Sequence, residues 1–169
     1  MKQITILNQL SPEYRLSGVN VAAGAVSTIA AGTPTKAADA VNASPWTGVI
    51  APMVDGDGTT TQRFTGIAKS TSTDTASTAG SVDIWLPYPG ILYAAKAKTA
   101  STFDTATEVA ANFGKGVFFD LTSSTWTVDV AASAAQANCV IIVGGDHLTQ
   151  TVYFNYKPSG TFLGSSISA

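Results

Sequence analysis

The sequence predicts a mainly β protein with an extended N-terminal arm and one short helix. Three observations carry that reading. Apolar residues alternate at Val82, Ile84 and Leu86, at Trp126, Val128 and Val130, and at Val152, Phe154 and Tyr156. This is the two-residue period of a strand with one face inward. Turn formers punctuate the runs, at Asp55-Gly56-Asp57-Gly58, Pro87-Tyr88-Pro89-Gly90 and Gly144-Gly145. Charged residues make up only 12% of the chain, about half of the ~25% usual in soluble domains, and Ala, Thr, Ser and Gly fill the difference.

Taken in order, residues 1–30 read as an extended arm. Ile4, Ile6, Leu10 and Leu16 are scattered, and Pro12 interrupts any helix. Such an arm is expected to be held down by a partner molecule, or else to fold back on its own domain. Residues 31–169 are expected to form the β domain, with one part at 31–100 and a helix plus two hairpins at 101–169. Val49–Val54 reads as a short strand that Pro52 demotes to an edge. The polar run 70–80 is either a solvated loop or a contact loop, and composition does not separate the two. Asp104 is placed as the cap of a helix through Ala111, with Gly114 near its stop. Val117–Leu121 with Thr125–Val130, and Cys139–Val143 with Thr149–Tyr156, are the expected hairpins. Trp46 is assigned to plug one end of a barrel.

Chemistry-bearing residues are sparse. Cys139 is the single cysteine, which excludes an intrachain disulfide, and its apolar setting reads as a core thiol. Asp55 and Asp57 have the first spacing of a calcium loop, but the third ligand and the closing Glu are missing. The one histidine, His147, sits beside Asp146 in a turn, with no strained nucleophile motif to complete a triad. No catalytic residue, metal ligand or cofactor is therefore assigned, and the chain is not expected to be an enzyme. A net charge of −2 offers neither a basic footprint for nucleic acid nor a cationic face for a membrane. Val19–Ala31 is too short and polar to span a bilayer. Two aromatics are candidate interface anchors. Trp85 shares a strand face with Asp83, and is either covered by a second layer or exposed as an anchor; Tyr88 lies between two prolines.

The succession Ala31-Gly32-Thr33-Pro34, Val49-Ile50-Ala51-Pro52, an Asp/Gly turn, Phe64-Thr65-Gly66-Ile67-Ala68, a Thr/Ala loop, Gly80-Ser81-Val82-Asp83-Ile84 and Gly90-Ile91-Leu92 resembles the lambda-type head decoration (cement) proteins of tailed bacteriophages. The resemblance spans residues 30–98 and is one of pattern. It implies a small β-barrel or β-tulip-like domain, with 31–100 as its tulip-like part, and a virion protein on the outer face of the capsid that stabilises the mature shell by bridging neighbouring major capsid subunits. It also implies a homotrimer at three-fold and quasi-three-fold positions. Lys2, Ile4, Ile6, Leu7, Leu10, Tyr14, Arg15 and Leu16 then correspond to a capsid-binding arm. The competing expectation is a phage tail, baseplate or receptor-binding β module that binds host-surface glycan.

Overall fold

The computed structural model describes residues 4–8, 15–23, 29–38, 48–54, 64–88, 91–131 and 140–157. Among them the strands are β1 (Thr5–Asn8), β2 (Arg15–Val21), β3 (Pro34–Ala37), β4 (Val49–Pro52), β5 (Phe64–Ala68) and β6 (Gly80–Trp85). These are followed by β7 (Leu92–Ala97), helix α1 (Ala106–Asn112), β8 (Gly116–Thr122), β9 (Thr125–Asp129), β10 (Val140–Asp146) and β11 (Thr151–Tyr156). The fold is mainly β, with one short α-helix, as the sequence predicts. Barrel 1 closes in the order β2-β4-β3-β5-β6, and barrel 2 in the order β7-β11-β10-β8-β9, with β1 added to β7 as a sixth strand.

The two barrels follow one path. In each, the first strand pairs in parallel with the third: Asn20↔Val49 and Val21↔Ile50 in barrel 1, Lys96↔Thr127 and Ala97↔Val128 in barrel 2. Third and second, second and fourth, fourth and fifth, and fifth and first strands are antiparallel in both. Each fourth strand carries a bulge with a glycine at large positive φ, Gly66 (156°) in β5 and Gly144 (152°) in β10. Each connection from first to second strand contributes a fully buried apolar side chain, Ile29 in barrel 1 and Phe103 in barrel 2. Phe103 fits closely enough that a Cβ on Gly145 would lie 2.2 Å from its ring.

Two hydrophobic clusters result. Val19, Val21, Ile29, Ile50, Ala68, Val82 and Ile84 fill barrel 1. The larger cluster fills barrel 2 around Tyr93, Phe119, Val128 and Phe154, and also takes in Met53, Phe64 and Ile67 from barrel 1. A bulge explains the crossing. Thr35 pairs with Gly66 but Lys36 pairs with Phe64, so Thr65 is the extra residue. Skipping it turns Phe64 to the side of Ile67, away from the barrel 1 interior and toward the Phe119 ring, 5.4 Å away. Thr65 is accommodated by a 2.8 Å hydrogen bond between its hydroxyl and that of Thr35. Gly66 has no room for a side chain here, because a Cβ would lie 2.3 Å from the Trp85 carbonyl oxygen.

Several expectations are corrected. The N-terminal segment is extended where described, but its own chain holds it: β1 lies on β7, and β2 is a full member of barrel 1. The change from one barrel to the other falls between Trp85 and Leu92, inside the segment expected to form a single tulip-like part. β4 is internal rather than an edge. Pro52 is tolerated because the pairing with β2 has ended at Ile50, leaving β3 alone alongside it. The helix cap is Thr105 rather than Asp104, since Thr105 and Glu108 exchange hydrogen bonds in a capping box. Glu108 Oε2 also accepts from the Asp104 amide at 2.9 Å, which leaves Asp104 just outside the helix. Trp46, Asp55, Asp57 and Cys139 lie outside the described residues.

Candidate interaction surface

The sequence places its candidate contact residues on the N-terminal segment and on the junction between barrels. Of the arm residues, Lys2, Leu10 and Tyr14 fall outside the described residues. Ile6 and Leu7 belong to β1, where Ile6 pairs with Tyr93, and Leu16 of β2 pairs with Ile84. Ile4 is buried, 5% exposed, in the larger core, so it anchors the segment to its own chain. Arg15 is exposed at the start of β2. The structure therefore divides these residues between the two barrels.

The junction is compact. The Tyr88 amide donates to the Leu86 carbonyl at 2.9 Å, and the buried Tyr93 hydroxyl donates to the same oxygen at 3.1 Å. Burial, reinforced by Tyr156 close by, pushes the Tyr93 hydroxyl well above its ordinary titration range. Burial followed by the neighbouring Tyr88 raises Tyr156 in the same way. Trp85 is partly covered by the larger core, and Lys69 Nζ stands 4.7 Å from its ring centroid. That arrangement answers the alternative left open by the sequence: a second layer packs on Trp85. Tyr88 remains 39% exposed.

The run 70–80 is tied down rather than loose. The Ile29 amide donates to Ser72 Oγ at 2.9 Å, and the Ser72 amide donates to the Ile29 carbonyl at 2.8 Å. Ser72 Oγ donates to the Asp74 carboxylate, and both side chains are buried. At Gly80 a Cβ would meet the Asp74 backbone at 2.2 Å, so the run packs directly on the start of β6.

Barrel 2 carries an ionic cluster at its parallel seam. Lys98 Nζ lies 2.7 Å from Asp120 Oδ2 and 3.1 Å from Asp129 Oδ2, joining the end of β7 to β8 and β9. Hydrogen bonds to Asp120 and then Asp129 push the Lys98 ammonium above its usual range. Its amide also donates to the Val128 carbonyl at 2.9 Å, continuing the seam. A cation flanked by two carboxylates in a closed ladder serves as a staple. At the β10–β11 hairpin, Asp146 accepts from the Leu148 amide (2.9 Å) and the Thr149 hydroxyl (2.6 Å). Its carboxyl is thereby held below the ordinary range, first by Thr149. Asp146 is occupied in shaping the turn around His147.

Sequence reasoning missed the apolar residues displayed outside the strands. Phe113 is 67% exposed, Leu148 78%, and Val143 on β10 37%. The Gly114 amide donates to the Ile142 carbonyl at 2.8 Å, fixing the Phe113 turn onto that strand. Gly114 at φ 78° permits the turn. The available signal was Phe113-Gly114, a large apolar residue immediately before a helix stop. Among the described residues no group of three or more His, Cys, Asp or Glu is placed to hold a metal ion. No helix among them is long and apolar enough to cross a membrane. Searches among protein-family models, curated proteins and solved structures find no match for the chain.

Proposed function

We propose that this chain is a non-enzymatic decoration protein of a tailed-phage capsid. It binds the outer surface of the mature shell and bridges neighbouring major capsid subunits, as a homotrimer at three-fold and quasi-three-fold positions. One observation carries the reading. Four of the segments that resemble the cement proteins form or lead into strands of one closed barrel, Pro34–Ala37, Val49–Pro52, Phe64–Ala68 and Gly80–Trp85, while Leu92 of the fifth opens β7 of the other barrel. Most of the pattern thus falls on neighbouring strands of one barrel, which supports the reading.

Physical chemistry is consistent with the role. Binding that favours the expanded shell over its precursor stabilises the shell by mass action, without any reaction. It requires contact area with few charges to desolvate, and this chain is charge-poor. Exposed Tyr88, Phe113 and Leu148 supply apolar area of the kind interfaces bury.

The test is co-sedimentation of the purified full chain with expanded shells that lack it, followed by heating. Saturable binding in multiples of three per face, with shells that survive a higher temperature, is the expected result. A chain that stays in the supernatant, or one that binds a glycan array instead, refutes the reading and favours the receptor-binding alternative.

A further inference from the structure

β1 stands outside the closed part of barrel 2. β7 pairs with β11 from Tyr93 to Lys96 and meets β9 at Lys96 and Ala97, which completes the ring of five strands. β1 lies on the rest of that second edge, with Thr5 opposite Ala94, Ile6 opposite Tyr93 and Asn8 opposite Leu92. Its departure therefore leaves the ring closed. Barrel 1 closes in the same order with five strands around a cluster of its own, so a sixth strand is not what makes this path stable. What β1 adds is a cover for one stretch of edge and a plug, because Ile4 is buried in the larger core just ahead of the strand. An edge and a pocket filled together by one short strand are the parts of a peptide-docking site. Residues 9–14 join Asn8 to Arg15, and residues 86–91 join Trp85 to Leu92. Since Asn8 lies opposite Leu92 and Arg15 opposite Trp85, the two connections link the same two points. Residues 86–91 alone already keep the barrels of one copy together.

We propose that the Leu92–Ala94 edge of β7 and the Ile4 pocket form a strand-exchange site through which copies of this chain associate, each taking β1 of a second copy in place of its own. The occupant follows from the pairing itself. The site already fits β1, at the edge for its main chain and in the core for Ile4, and every copy carries both halves. Exchange preserves the pairing and the burial of the unexchanged fold, which makes it a low-cost route to association. Residues 9–14 then carry the link from one copy to the next. A strand handed on in one direction closes a ring of copies. A ring of three rests on the proposed function, whereas the exchange rests on the β1–β7 pairing alone.

Two measurements in solution test the site. In the first, two full-length chains that both carry Cys139→Ala are unfolded in urea, mixed, and refolded at high concentration in a thiol–disulfide buffer. One carries Asn8→Cys and the other Leu92→Cys, a registered pair. The control replaces Asn8→Cys by Thr107→Cys, an exposed position of α1. Covalent heterodimer several-fold above the control, counted by mass spectrometry, supports exchange; a yield equal to the control overturns it. The second keeps the full chain folded and adds a fluorescent peptide of residues 1–9. A chain carrying Ile4→Asp, whose own strand has lost its plug, should take up several-fold more peptide than the unsubstituted chain. A peptide carrying Ile4→Asp should bind several-fold less to either. No uptake, or uptake indifferent to Ile4 in both peptide and chain, overturns the site even where the cysteine variants refold poorly. No shell enters either measurement, so a chain that exchanges strands yet fails to bind shells refutes the decoration reading and leaves the exchange site standing.

Discussion

Replacing Phe64 by Ala tests the fusion of the two barrels at its narrowest point. The side chain belongs to β5 of barrel 1, is 1% exposed, and packs on Phe119 of barrel 2 at 5.4 Å. Truncating a buried Phe costs ~3–5 kcal/mol in transfer and cavity terms. With a urea dependence of about 2 kcal/mol/M for a chain of this size, the midpoint falls by about 2 M. Tryptophan fluorescence in a Trp46→Phe background reads the junction through Trp85 alone, on β6 and packed against the larger core, and barrel 2 through Trp126 alone. Because Met53, Phe64 and Ile67 share a cluster with Phe119 and Phe154, the two probes should report coincident transitions in the unmutated core. Phe64→Ala should lower both midpoints, and Phe64→Leu should restore part of the loss. A shift below about 0.5 M at both probes would refute the claim that the Thr65 bulge delivers Phe64 into a common core.

Further expectations concern the seam and the turns. Lys98→Met removes the cation that bridges buried Asp120 and Asp129. A fully buried broken pair costs ~3–5 kcal/mol, and with Lys98 39% exposed the expected loss is about 1–3 kcal/mol at neutral pH. Since the folded-state pKa of Lys98 is raised, its contribution is present below the ordinary lysine value and disappears only as pH climbs through the higher folded value. Lys98→Arg should recover most of the loss, read as urea midpoints at neutral pH, and a variant as unstable as Lys98→Met contradicts the staple. Ser123 and Ser124 hold φ of 49° and 63° in the β8–β9 turn, a geometry that favours Asn-Gly. The pair Ser123→Asn and Ser124→Gly should stabilise the protein by about 1 kcal/mol, read as a rise in melting temperature; a fall counts against the turn assignment. Asp146 is held below the ordinary carboxyl range, so its support of the hairpin is complete above that range and lost as pH drops through the lowered folded value. Carboxyl NMR titration should give Asp146 a lower midpoint than Thr149→Val shows, and identical midpoints would exclude the Thr149 bond as the cause.

Much of the strand content was legible because alternation survives wherever a strand faces one core. Val82 and Ile84, Trp126 and Val128, and Val152, Phe154 and Tyr156 are all buried as the period requires. β2 was hidden by its own irregularity. The bulge at Ser17 and Gly18 breaks the two-residue period between Leu16 and Val19, so a barrel strand read as a structureless arm. β1 is four residues long, too short for any period to emerge. The Thr65 bulge likewise inverts Phe64, and no local pattern reveals which barrel that ring enters. The parallel seams join segments far apart in sequence, and each rests on only two registered pairs. Phe103 and Ile29 enter the cores from connections, where no alternation exists to mark them. Of the candidate contact residues, Tyr88 was recognisable from its two flanking prolines. Phe113 and Leu148 were not, because exposure of a lone apolar residue depends on what the fold leaves uncovered.

The most direct test of the decoration assignment is a density difference map between phage particles assembled with and without this chain. The account predicts added density confined to the outer face of the shell, at three-fold and quasi-three-fold positions, into which two adjoining five-stranded barrels fit per copy. Difference density at the tail or baseplate, or none anywhere on the particle, would contradict it.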